Sequence, residues 1–422
     1  MTLVLRLRYN QVICINQEGA VFQIMKFQDK EFIPVLLGGD INTYSVARAF
    51  YEQYRVKTYI FGKFPTGPSY NSKIIEYHPN PKIDTDDYFL KTVNHFAKKH
   101  ADKKIVLIGC GDSYVALISK HKSELADNII APYIDFELMN SLQQKETFYK
   151  LCEKHGVDYP GTLIYDASMG MDFEMNFQFP VILKPSDSIQ YWEHEFETQN
   201  KDREELERVI GQIYGAGYTD KLIIQDMIPG NDEYMYVLTS YSDRNGKVKM
   251  MCLGHVLLEE HTPHGLGNHA VIITEPNEEL MMKVKNLLED LHYVGFSNFD
   301  IKYDKRDGKF KFFEINTRQG RSNYYVTGSG FNVAKYIVEE YVYGKELKLK
   351  LAKDEHLWMV VPKAVAFKYV KEEANKAKLR KLIKEKKMVN PVFMRGDLKP
   401  RRFLAMAKTH LSHFVKFKKY YS

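Results

Sequence analysis

The chain's 422 residues are 44% hydrophobic and 27% charged with a net charge of +6, the make-up of a soluble globular protein too long for one core and divided into two or three lobes. Four cysteines (Cys14, Cys110, Cys152 and Cys252) are scattered without metal-like spacing, which argues for a reducing compartment and against a disulfide framework or a zinc site. No apolar run is long enough to span a bilayer.

Residues 1–23 contain apolar stretches but lack the order of a signal peptide. They read as an extra strand pair or as an upstream extension with Met25 the true start; the second is preferred, and residues 1–30 are set apart as an N-terminal extension. A short apolar strand over 32–37 then runs into Gly38-Gly39-Asp40, followed by a helix over 42–54 and a strand over 57–61. That order opens a parallel α/β sheet, whose ligands sit at the carboxyl ends of its strands. The unit recurs as a helix over 84–99, a strand over 104–108 and the turn Gly109-Cys110-Gly111-Asp112. Both glycine turns can also be read as tight strand closures and nothing more.

A helical stretch over 141–155 carries Lys145, and strands follow over 162–164 and 179–183. Pro185 fixes an extended backbone at Lys184, holding that lysine at its strand's end. By residue type alone both lysines are surface groups. The stretch 186–201 has no glycine, 202–216 is a helix with an acidic first turn suited to the helix dipole, and 222–225 is a strand entering a turn at Pro229-Gly230-Asn231. Two antiparallel strands over 234–239 and 249–258 come next, then a glycine-bearing loop placed near substrate, then a helix over 278–292. His255, His261, His264 and His269 fit no zinc spacing, though His264 or His269 is a candidate to orient a second substrate.

The chain is organised around residues 299–322, FDIKYDKRDGKFKFFEINTRQGRS. Alternating residues over 299–303, a charged turn over 304–308 and a return strand over 309–315 make a hairpin. Glu314 and Asn316 are two apart and share a side, so the hairpin can gather Asp300, Glu314 and Asn316. Such hard oxygen donors suit Mg²⁺, with Mn²⁺ the alternative ion, held by carboxylates together with a substrate's phosphates. Arg318 and Arg321 lie just beyond, where phosphoryl oxygens would need neutralising. A solvated hairpin is the competing reading, but it has no use for Phe310, Phe312 and Phe313 beside the acids.

Past Asn323, Tyr324 and Tyr325 an amphipathic helix covers 332–341, a buried strand lies within 356–370, and a basic helix covers 372–387. From residue 371 onward sixteen basic residues face four acidic ones, so the rest of the chain is net negative. This basic C-terminal region suits polyanions or an anionic membrane surface. It carries no nucleic-acid recognition motif, and no nucleic acid is expected as partner. The tail RRFLAMAKTHLSHFVKFKKYY reads as a solvated cover for the α/β lobe in preference to an interfacial segment.

Asp300, Glu314-Ile315-Asn316-Thr317-Arg318 and Gly320-Arg321-Ser322 together resemble the metal-binding end of ATP-grasp ligases, which activate a carboxylate as an acyl phosphate and couple it to an amine or thiol. Within that superfamily EFIPVLLGGDINTY, VILKPSDS, NFDIKYD and FFEINTRQGRSNYY are similar to the D-aspartate ligases of Gram-positive bacteria, over roughly residues 31–362. The resemblance implies a mixed α/β and α+β ATP-grasp fold. Its parts would be an open parallel α/β lobe (31–140), a small ATP-binding subdomain (141–226), an antiparallel-sheet subdomain with the metal site (227–350) and the basic C-terminal region (351–422). It further implies that Lys145 and Lys184 reach the α- and β-phosphates of ATP and that the backbone around Gln225, Asp226 and Ile228 reads adenine, with Asp232 on the ribose hydroxyls. Asp300, Glu314 and Asn316 would hold Mg²⁺, Arg318 and Arg321 would act on the acyl phosphate with Lys184, and Asn323 and the tyrosines would line its pocket. Asp40, Asn42 and Asp112 are candidates for the amino acid, and Ser186, Ser188 and Lys201 stand in for the glycine-rich phosphate loop that many relatives have.

The implied reaction activates the β-carboxylate of D-aspartate and joins it to the side-chain amine of the stem-peptide lysine in a muramyl-peptide precursor of peptidoglycan. It would run in the cytoplasm, with the basic region against the inner face of the membrane. A ligase using another amino acid or amine, and a non-catalytic nucleotide- or polyanion-binding protein, are the alternatives.

Overall fold

The computed structural model describes residues 3–7, 11–15, 21–23, 25–65, 67–185, 198–263, 265–397 and 399–421. The first three stretches are backbone strands, Leu3–Leu7, Gln11–Ile15 and Val21–Gln23, paired in an antiparallel meander.

Phe32–Leu37 is the central strand of a five-stranded parallel sheet. Thr58–Gly62 and Ile75–Pro79 lie to one side of it, Lys104–Gly109 and Ile129–Ile130 to the other. A strand covered on both faces is apolar at successive positions, and Val35, Leu36 and Leu37 are all buried. The chain adds strands first on one side and then on the other, so strand order reverses between Phe32–Leu37 and Lys104–Gly109. That reversal opens a crevice beyond their carboxyl ends. Gly38 occupies it with φ +137°, and a Cβ there would stand 2.4 Å from Thr43 Oγ1, so only glycine makes this turn. Asp40 then caps the helix Ile41–Tyr54, its carboxylate accepting from the Thr43 amide at 3.2 Å.

A small antiparallel sheet follows, ordered Thr198–Asn200, Val181–Pro185, Leu222–Asp226, Thr162–Tyr165. The helix Arg203–Gly215 packs Leu206 and Ile210 into the same apolar cluster as Leu183 and Tyr165 of this sheet. The larger sheet begins at the edge pair Lys309–Asn316 and Gly295–Asp304, continues through Met235–Ser242, Val248–Glu260 and Asn268–Thr274, and takes up Leu357–Met359 and Met388–Val389 beyond.

Two expected helices differ from the sequence reading. The stretch 141–155 is two helices, Phe136–Gln143 and Lys145–Lys154, parted by an extended Gln144. Apolar spacing carries on through the break, with Met139, Leu142, Phe148, Tyr149 and Cys152 all buried, so periodicity gives no sign of it. The stretch 332–341 turns from the α-helix Val333–Ile337 into a π-helical turn, Val338–Val342. That turn buries Glu340, which accepts from Tyr241 Oη at 2.6 Å and the Arg244 amide at 2.7 Å.

The tail is one helix, Pro400–Tyr420, pinned by a buried ion pair. Asp397, with no exposed side-chain surface, lies 3.7 Å from Arg402 and accepts from Tyr44 Oη and Ser72 Oγ, each at 2.7 Å. Arg402 also donates to the carbonyls of Pro68 and Val392 and lies over the Tyr44 ring. Among the described residues no helix is long and apolar enough to cross a membrane.

Candidate active site

The hairpin Gly295–Asp304/Lys309–Asn316 sets Asp300 directly opposite Glu314 and Asn298 opposite Asn316. The register shifts just after Asp300, so the pairing changes beside the acids. Asn316 Nδ2 donates to Asp300 Oδ2 at 3.0 Å and to Glu314 Oε1 at 3.4 Å, closing a cluster of two carboxyls and an amide. Burial, together with the neighbouring Glu314, pushes the Asp300 carboxyl up to about 7. Burial pushes Glu314 up too, but Lys145, the hydrogen bond with Asp300 and Lys184 outweigh it and leave Glu314 below its ordinary value. Two carboxyls crowded until one holds its proton near neutrality form a donor set that a divalent cation relieves, and the residues present fit Mg²⁺.

Cations surround the cluster. Lys145, brought to the start of its helix by the Gln144 break, donates to the Phe313 carbonyl at 3.1 Å and to Glu314 Oε2 at 3.5 Å. Lys184 donates to Gln225 Oε1 at 3.1 Å. Gln225 is itself fixed by donating to Tyr149 Oη at 2.6 Å and Thr162 Oγ1 at 3.0 Å. On the far side Arg318 forks onto Asp112, Nε to Oδ1 at 2.7 Å and Nη2 to Oδ2 at 2.8 Å, which ties the hairpin to the parallel sheet's second glycine turn. Arg321 opens onto a cleft of about 680 Å³ together with Gly38, Gly39 and Asp40.

At the turn after Leu222–Asp226, the Asp226 amide donates to the Gly161 carbonyl and the Met227 amide to that of Pro180. The Asp226 carboxylate holds Arg306 through two bonds, at 3.1 Å and 2.5 Å. Among the described residues nothing accepts from the Ile228 amide. Asp232 takes the Glu259 amide on Oδ2 at 2.9 Å, and His261 Nε2 lies 3.0 Å and 3.1 Å from its two oxygens.

No family model matches the chain. The D-aspartate ligase of Enterococcus faecium (strain Aus0004) is 41% identical to it over 411 residues, covering 93% of this chain and 98% of that relative. The chain belongs to the D-aspartate ligase family. Solved structures at lower identity carry the fold. The Thermus thermophilus N5-carboxyaminoimidazole ribonucleotide synthetase aligns with TM-score 0.55 at 14% identity, over 77% of this chain and 82% of its own. The MgADP-bound biotin carboxylase domain of Hydrogenobacter thermophilus 2-oxoglutarate carboxylase gives 0.55 at 15%, over 77% and 72%. The Thermotoga maritima phosphoribosylamine–glycine ligase gives 0.52 at 14%, over 77% and 78%. The fold is ATP-grasp.

In this D-aspartate ligase relative, several residues singled out from sequence do something else. Asn42 is buried, donating to the Cys110 carbonyl at 3.2 Å and accepting from Asn323 at 2.8 Å, so it braces the crevice and presents nothing to an amino acid. Asp112 is occupied by Arg318. Tyr324 donates to Glu52 and Tyr325 to the Cys252 carbonyl, and both are buried. The three described histidines have separate partners: His255 faces the Glu233 carbonyl, His261 Asp232, and His269 Ser322, while His264, like Ser186 and Ser188, lies outside the described residues. Burial and Arg321 push His269 down to about 4, so it is neutral at physiological pH.

Two carboxyls were not foreseen. Glu259 and Glu260 end Val248–Glu260 and, being adjacent, face opposite sides of the sheet. Burial and then Asp232 and Asp300 push Glu259 up to about 8, while Glu260 turns to the cleft. The pair Glu-Glu at a strand's end was the available signal.

Proposed function

We propose that the chain is an ATP-dependent ligase that activates the β-carboxylate of D-aspartate as an acyl phosphate and joins it to the side-chain amine of the stem-peptide lysine in a peptidoglycan precursor. The observation that carries this reading is the Asp300–Glu314–Asn316 cluster with Lys145, Lys184 and Arg318 around it. A carboxylate resists attack because of its charge and resonance. Its oxygen attacks the γ-phosphorus, ADP leaves, and the acyl phosphate that results is an electrophile. The amine nitrogen then bonds to the acyl carbon, the bond from that carbon to the phosphate oxygen breaks, phosphate departs and the nitrogen loses a proton.

The protein's share is positioning and charge neutralisation. Asp300, Glu314 and Asn316 would hold Mg²⁺, which when bound supplies Lewis-acid neutralisation of the phosphates, and Mn²⁺ would suit the same donors. Lys145, donating to the Phe313 carbonyl and to Glu314, and Lys184, donating to the Gln225 amide oxygen, would turn their ammonium groups to phosphate oxygens. Among the described residues the Ile228 amide has no acceptor and would read the adenine edge, with Asp226 and Gln225 fixing the turn, while Asp232, which also holds the Glu259 amide and His261, would meet the ribose. Arg318, braced by Asp112, and Arg321 face the developing oxyanion. Mass spectrometry of a reaction containing ATP, Mg²⁺, D-aspartate and a lysine-containing muramyl peptide is expected to show the peptide heavier by one aspartyl residue. L-aspartate serving equally well, or no product, rejects the assignment.

We place the enzyme in the cytoplasm, against the inner membrane face. The outer side of Pro400–Tyr420 exposes Leu404, Leu411 and Val415 at 66%, 58% and 70%, one stripe at spacings of seven and four. Arg401, Lys408, Lys418 and Lys419 flank it, a combination suited to an anionic bilayer. The protein is expected to float with phosphatidylglycerol vesicles and not with phosphatidylcholine vesicles, and Leu411→Glu/Val415→Glu to abolish flotation. Equal recovery with both lipids would count against it.

A further inference from the structure

The inner side of the same helix is the other half of its sequence. Met406, Thr409, His410, His413 and Lys416 recur at spacings of three, one, three and three, and all line the 680 Å³ cleft. The opposite wall is the crevice at the strand-order reversal, with Asp40 and Lys63, and Arg321 stands between. Pockets of about 300–1,000 Å³ take ligands far larger than one amino acid. The space therefore has room for a second reactant.

Its charge is patterned. Lys63, Arg321 and Lys416 outnumber Asp40 and Glu260. Glu260 Oε1 lies 3.3 Å from His413 Nε2 and its Oε2 3.8 Å from Lys416 Nζ, with only 10% of the side chain exposed. An acid held this way at the cleft's edge can receive an ammonium group without being left alone in the apolar wall. The wall is also fixed in place, because the Asp397–Arg402 anchor ties the helix to residues 67–73 beside the crevice. A loose cover has no need of a buried ion pair.

We propose that the cleft face of Pro400–Tyr420 is the acceptor subsite, taking an anionic peptide whose side-chain ammonium reaches Glu260 while Lys416 meets its negative groups. This rests on the ligase reading above and adds to it the residues that choose the amine. Hydroxylamine separates the two: it is a small nucleophile that traps an acyl phosphate as a hydroxamate without filling the cleft. Full-length Lys416→Ala, Lys416→Arg and Glu260→Gln proteins are compared with wild type, using ATP, Mg²⁺ and D-aspartate with either hydroxylamine or the lysine-containing muramyl peptide. Lys416 has 38% of its side chain exposed, so its truncation spares the core. In Lys416→Ala and Glu260→Gln, the KM for the muramyl peptide is expected to rise about tenfold or more beyond any change in the hydroxylamine reaction, the scale of one lost charge-assisted hydrogen bond, and Lys416→Arg to recover most of it. An unchanged peptide KM, or equal losses with both nucleophiles, overturns the subsite. Failure of wild type to form hydroxamate overturns the ligase reading instead.

Discussion

Glu314→Gln is expected to lower D-aspartate-dependent ADP release by about 10³-fold, the rate equivalent of the several kcal/mol that a metal's neutralisation of phosphoryl charge supplies. Glutamine keeps the shape and the hydrogen-bonding reach of the side chain but removes one of the two charges facing the proposed ion. The substitution weakens the contact with Lys145 but also relieves crowding at Asp300, so the net change in stability should stay within about 1 kcal/mol. The deficit should shrink as Mg²⁺ is raised, because a weakened site fills at higher metal concentration. Lys184→Ala should be as inactive but should not respond to added Mg²⁺, since a lost phosphate contact is not restored by metal. ADP-release kinetics across a Mg²⁺ titration read both. Full activity of Glu314→Gln at low Mg²⁺ would remove the hairpin cluster from the mechanism.

The largest stability effect is expected at Asp397. Asp397→Ala leaves the Arg402 guanidinium, with no exposed surface, against the Tyr44 ring without its counter-ion, and strips the Tyr44 and Ser72 hydroxyls of their acceptor. Breaking a buried pair from one side costs about 3–5 kcal/mol, because the surviving charge stays desolvated and uncompensated. Urea denaturation should show this as a lowered midpoint with an unchanged slope. Adding Arg402→Met should recover part of the loss, since two apolar groups strand no charge. The released helix should also raise the KM for the peptide acceptor. A cost below about 1 kcal/mol would mean that the tail is held mainly by its apolar contacts, Met406 and Phe417 among them.

The amino-acid sequence by itself determined whatever short-range pattern records. Continuous apolar runs marked the strands of the parallel sheet, and period-two alternation marked the hairpin. The two-residue spacing of Glu314 and Asn316, with Asp300 across a short turn, was enough to gather the acids, because a tight hairpin leaves few registers open. Motif resemblance then drew attention to Lys145 and Lys184, which residue type alone would have left on the surface.

Tertiary structure alone decided which polar groups are partners. Asp112 and Arg318 are 206 residues apart and Tyr44 and Asp397 353, and nothing in either neighbourhood points to the other. For the same reason Asn42 and Asn323, placed by sequence at a substrate, turn out to brace each other. The tail's composition gave its mixture of basic and aromatic residues but could not say that it forms one helix or which face of that helix meets the cleft. Covalent spacing fixes what neighbours along the chain can do. Which distant acid meets which distant base is settled only when the sheets pack and burial makes an unpaired charge too costly to keep.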